Sequence, residues 1–137
     1  MKRSLSLAFL LIALLAPIGV NAECSKKIKD NGFIKETLDL YFAPDKFGPK
    51  PHSLNDWCYD KKNNRLFIVI NYNYESEATA KDLAKSIGHE MIMTSRTMKQ
   101  VNQQLSPFQK HILSKGLTVI ITWPGRKSPA AWVKMRP

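Results

Sequence analysis

Ala80, Ala84, Ile87, Met91, Thr94, Met98, Val101 and Leu105 recur at alternating spacings of four and three. That spacing draws one apolar stripe along one side of an α-helix, and it predicts a long helix over residues 77–104. A one-sided stripe has to lie against something apolar, so the rest of the chain must supply a sheet or a second helix. Ala84 and Gly88 are small and four apart, which permits close approach to such a partner. The stripe would also suit a coiled-coil dimer seam with its methionines as an adaptable surface. In so short a chain, packing within its own core is the expected use.

The obvious cover is Leu66 to Ile70, an unbroken apolar run of the kind a central strand shows when both its faces are covered. Asp56–Tyr59 and Arg65–Tyr74 read as two strands joined by the polar turn Asp60–Asn64. Asn71 to Tyr74 alternate, so the end of the second strand is expected to emerge with one wet face. Ser76 is the expected N-cap of the long helix, with Glu75 and Glu77 suited to the positive end of its dipole. Ser106-Pro107 starts a second, short helix and Gly116 closes it. Leu117–Thr122 and Ala130–Met135 then form a final hairpin around PGRKSP. If Leu117, Val119 and Ile121 oppose Met135, Val133 and Ala131, one side of this hairpin is wholly apolar. The other side carries Thr118, Ile120, Thr122, Trp132 and Lys134.

The order strand, strand, helix, short helix, strand, strand implies an α+β domain. It would be a small, mostly antiparallel sheet with the long helix packed on one face. FIKETLDLYF, residues 33–42, fits neither the helical nor the strand period cleanly. Residues 43–53 hold three prolines and a glycine, which disfavour helix and ladder alike and mark a loop.

MKRSLSLAFLLIALLAPIGVNA has the three-part layout of a secretory signal peptide. Lys2 and Arg3 give a positive start, Leu7 to Leu15 a short apolar run, and Val20-Asn21-Ala22 a cleavage site. Spanning a bilayer takes about 20 apolar residues, so the run is too short for an anchor. Residues 1–22 are expected to be removed, leaving a single domain over 23–137, exported to the periplasm or secreted, with no transmembrane segment. Glu23 stands where a lipobox needs a small residue, so Cys24 is not expected to carry lipid. Two cysteines in an exported chain read as a disulfide, Cys24–Cys58. Closing that loop would stabilise the fold by about 3–4 kcal/mol.

The formal net charge is +10, from 21 basic and 11 acidic residues. Residues 23–90 carry eleven of each sign, whereas residues 91–137 carry eight basic residues and no acid. Once Lys2 and Arg3 leave with the leader, all the net charge sits in the last third of the chain. Such asymmetry points to an anionic partner. Arg126, Lys127, Trp132, Lys134 and Arg136 are the residues expected to meet it, and Trp123 is a further aromatic among basic residues. The expected partner is an acidic protein, of inhibitor, immunity or envelope-assembly type, or an anionic envelope component. Nucleic acid is compatible with the charge, yet no RNP motif, zinc knuckle or helix-turn-helix pattern supports it.

Catalytic motifs are missing from the sequence. His89-Glu90-Met91-Ile92-Met93 lacks the second histidine of a zinc-protease helix, and no G-x-S-x-G or glycine-rich phosphate loop occurs. His52, His89 and His111 could serve a small secreted hydrolase, a nuclease in particular, if the fold gathered them. No cofactor and no metal site is expected. The sequence therefore implies a non-catalytic exported binding module, with that nuclease as the alternative.

Overall fold

The computed structural model describes residues 32–43, 53–71, 77–125, 129 and 131–137. In chain order the elements are α1 (Gly32–Phe42), β1 (Leu54–Asp60), β2 (Arg65–Ile70), α2 (Glu77–Gln100), α3 (Pro107–Lys115), β3 (Leu117–Thr122) and β4 (Ala131–Met135). The domain is α+β, with helices packed on a four-stranded mixed sheet of order β1-β2-β3-β4.

Both expected hairpins form: β1–β2 and β3–β4 are antiparallel. Leu117, Val119 and Ile121 pair with Met135, Val133 and Ala131, the register that the apolar pattern implies. The joint between the hairpins, β2–β3, is parallel, so the sheet is mixed. A parallel pair cannot close through a tight turn and needs a crossover long enough to return the chain to its starting edge. Here α2 and α3 make that return.

Strand alternation divides the sheet into two faces. On the inner face Leu66, Ile68 and Ile70, then Leu117, Val119 and Ile121, then Ala131 and Val133 join one core cluster. Ala80, Ala84, Ile87 and Met91 of α2 reach the same cluster and are fully buried. Each completely buried Ile or Met there is worth roughly 1.5–3 kcal/mol. The first half of the stripe is thus core. A Cβ added at Gly88 would lie 2.5 Å from Met135 Cγ and 3.2 Å from Val119 Cγ2, so α2 does approach the sheet as closely as its small residues allow.

Further along, the stripe departs from expectation. α2 ends at Gln100, before residue 104, because Asn102 turns left-handed at φ 58°. The Gln103 N–H then bonds Met98 O at 2.9 Å and the Asn102 N–H bonds Lys99 O at 3.2 Å, which satisfies carbonyls that a helix end leaves free. Val101 is consequently 60% exposed. Ser95 takes the buried place near Met91, donating its hydroxyl to Met91 O at 2.7 Å.

α3 starts as its cap residues dictate. Ser106 Oγ accepts from the Gln109 N–H, Gln109 Oε1 accepts from the Ser106 N–H, and Pro107 opens the helix. Residues 33–42 prove helical: Ile34, Thr37, Leu38 and Phe42 are buried on one side of α1. Phe33 stacks tilted on Phe108 with ring centroids 6.1 Å apart, and the Tyr41 hydroxyl donates to Ser86 O at 3.1 Å.

On the outer face Cys58, Phe67 and Ile120 form a smaller buried cluster along one cross-strand row. Cys58 is fully buried and is not a free thiol. Cys24, its expected partner, lies outside the described residues, as do the expected leader, most of the proline-rich loop and Ser76. Among the described residues no helix is long and apolar enough to cross a membrane.

Candidate binding cleft

Arg65 pairs with Thr118 across β2–β3, and Thr118 with Lys134 across β3–β4. Their strand neighbours Leu66, Leu117 and Val133 point into the core, so these three side chains emerge together on the outer face. Strands lie about 4.8 Å apart, which puts the Arg65 and Lys134 backbones roughly 10 Å from each other with a threonine between. The adjoining row places Trp132 beside Ile120. Lys115 arrives as the last residue of α3, where the negative end of the helix favours a cation.

Arg65, Lys115, Thr118, Trp132 and Lys134 line one open cleft of about 600 Å³, together with Asn63, Asn64 and Pro129. None of the described residues lining it is acidic. Asp60 pairs with Arg65 in the same row but is only 1% exposed. Its carboxylate accepts from Asn63 in the turn, from Nδ2 at 2.8 Å and from the backbone N–H at 3.4 Å. Among the described residues, Lys35 and Asp39 form an ion pair, far from this row, and no such pair holds Arg65, Lys115 or Lys134. At about 10 Å in water two like charges repel by only a few tenths of a kcal/mol. The fold tolerates that, and an anion placed between them gains from both.

Asn64 fixes the geometry. It sits at φ 54°, a left-handed turn position that asparagine tolerates. Its Oδ1 accepts from the Tyr59 hydroxyl at 2.7 Å, and its Nδ2 donates to Gly116 O at 2.7 Å. Its carbonyl accepts from the Thr118 N–H at 3.2 Å. The β1–β2 turn is thereby bonded to the start of β3, which holds Arg65 level with Thr118. Burial, aided by the nearby Asp60 charge, pushes the Tyr59 phenol up to about 12. It remains a neutral donor throughout the physiological range.

Of the residues expected at a partner surface, Trp132 and Lys134 come together in this cleft. Arg136 is exposed just beyond β4 and does not line it. Arg126 and Lys127 lie outside the described residues. Trp132 is 63% exposed, whereas Trp57 and Trp123 are half-buried against the core. Arg65 and Lys115 join them without having been expected at that surface: Lys115 is one of the eight basic residues of 91–137, whereas Arg65 is not. Arg65 belongs to the charge-balanced part of the sequence, and only the parallel β2–β3 pairing carries it to the basic part.

His89 is exposed on α2 and His111 half-buried on α3, while His52 lies outside the described residues. Among the described residues no group of three His, Cys, Asp or Glu side chains is gathered to hold a metal. No family model, curated protein or solved structure matches the chain.

Proposed function

We propose that the protein is an exported, non-catalytic binding module that docks an acidic partner protein through the cleft around Arg65, Lys115, Trp132 and Lys134. The partner is of the inhibitor, immunity or envelope-assembly type, and Cys24–Cys58 staples the domain for life outside the cytoplasm. One observation carries the reading: three cations and the exposed indole share a single concavity, with no acid among its described lining residues. Tryptophan and arginine are the side chains that most often dominate protein interfaces. The cations, in no ion pair among the described residues, supply attraction at a distance as well as specificity on contact.

The test is capture from envelope extract by the mature protein at low and high salt. Arg65→Glu with Lys134→Glu should weaken capture about tenfold. The control pair, Lys85→Glu with Lys99→Glu, changes net charge equally at exposed positions of α2, and should leave capture within about twofold of the parent. Equal losses in both pairs would mean bulk charge without a docking surface.

A further inference from the structure

Among the described residues β4 is the outermost strand of the sheet, with β3 on one side only. A second groove of about 600 Å³ follows it, lined by Ala131, Trp132, Val133 and Lys134 and by Ala78 and Lys81 of α2. Successive strand residues point to opposite faces. A groove that touches four in succession must therefore run along the edge of the strand, where alternate N–H and C=O groups face outward without a ladder partner among the described residues. The two grooves share Trp132 and Lys134.

From this geometry, and resting on the acidic-partner reading above, we infer that the partner docks by strand addition: an extended acidic segment pairs with β4. An added strand sends alternate side chains to the two faces of the sheet. One set passes Trp132 and Lys134 on the outer face. The other set lies over Ala131 and Val133, against Ala78 and Lys81. Each set meets a lysine, and none of the described residues lining the groove is acidic; Asp82 is exposed beside Lys81 without lining it. Carboxylates on both faces of the incoming segment are therefore matched. β4 has five residues, so the segment needs about the same length. A second copy of this chain is a poor occupant, because its own β4 would bring another Lys134 and Arg136 to the same edge.

The probes are synthetic octapeptides titrated into the mature protein. The parent repeats Glu-Glu-Val-Val, which puts carboxylates on both faces of an extended strand, a neutral version replaces Glu with Gln, and two more carry backbone N-methyl groups on alternate residues, one in each phase. Calorimetry reads affinity, and hydrogen exchange reads protection of the amides of residues 131–135. The expected result is binding of the parent, with the Gln version at least about tenfold weaker. One N-methyl phase should lose binding at least about tenfold and the other keep it, since only one edge of the peptide faces β4. Protection should appear at alternate β4 amides. Equal binding of both N-methyl phases would overturn strand addition in favour of charge alone, while capture by the cleft could still stand. No peptide binding would also overturn it, and so would β4 protection without peptide in a sedimenting dimer. Loss of capture from envelope extract in the control pair as well as the cleft pair tests the underlying reading separately.

Discussion

A Cβ on Gly116 would fall 2.2 Å from Met135 O, so the chain leaving α3 passes directly against the backbone of β4. Gly116 also holds φ 79° while its N–H closes α3 on Ile112 O at 2.8 Å. Gly88 meets the same residue differently: its imagined Cβ strikes the Met135 side chain, which is half-buried and can swing. Gly116→Ala should therefore lose at least about 2 kcal/mol, through backbone strain and collision. Gly88→Ala should lose about 1 kcal/mol, since overpacking is partly offset by better helix propensity. Urea midpoints of the two variants would reverse this order if the backbone contact did not matter.

Tyr59 should make the fold sensitive to alkali. In the unfolded chain its phenol titrates near the ordinary value of 10.0, and in the fold burial and Asp60 hold it up at about 12. The stability it contributes is fully present below pH 10 and is lost as pH rises through about 12. Tyr59→Phe should remove that part of the pH dependence and cost about 1 kcal/mol at neutral pH, for the lost bond to Asn64. Thermal melts across pH 9 to 12, beside a tyrosinate absorbance titration, check both parts.

Trp132→Ala should separate binding from folding. The indole is 63% exposed, so stability should stay within about 0.5 kcal/mol of the parent. Affinity for the captured partner should fall at least about tenfold if the indole anchors the interface. Unchanged affinity would remove Trp132 from the site.

Exported protein should have an intact mass that begins at Glu23, carries no acyl group and is lower by the hydrogens of one disulfide. An acylated Cys24 would overturn both the soluble export and the link to Cys58.

The histidines provide the test against catalysis. Replacing His52, His89 and His111 together by Gln should leave partner capture intact, because none of the described residues lining the cleft is a histidine. Loss of biological activity in a folded triple variant would favour the nuclease alternative.

The legible parts of this fold are those with local causes. Ser106, Pro107 and Gly116 bracket α3 through bonds to residues three or four away. The β3–β4 register follows from one apolar face of a short hairpin. The parallel β2–β3 joint leaves no such mark, because Arg65 and Thr118 are far apart in sequence and nothing in either segment names the other. For the same reason Arg65 reads as a charge flanking a turn until its place in the sheet is known. α1 is obscured by Leu40, an apolar residue 63% exposed on the helix's wet side, which breaks the period that Ile34 and Leu38 set. The end of α2 is overwritten by Asn102, whose left-handed turn stops the helix while the stripe continues to Leu105.

The parallel seam has a thermodynamic corollary. Arg65 and Asn64 stand on one side of it, Lys115, Trp132 and Lys134 on the other. When β2 and β3 separate the concavity ceases to exist, so a ligand that needs both walls binds the closed sheet alone. Mass action then ties occupancy to cohesion: at a hundred times its Kd such a ligand raises the free energy of unfolding by about 2.7 kcal/mol. The bound domain should therefore resist proteases and heat increasingly with the logarithm of partner concentration, and its melting temperature becomes a measure of how much partner is present.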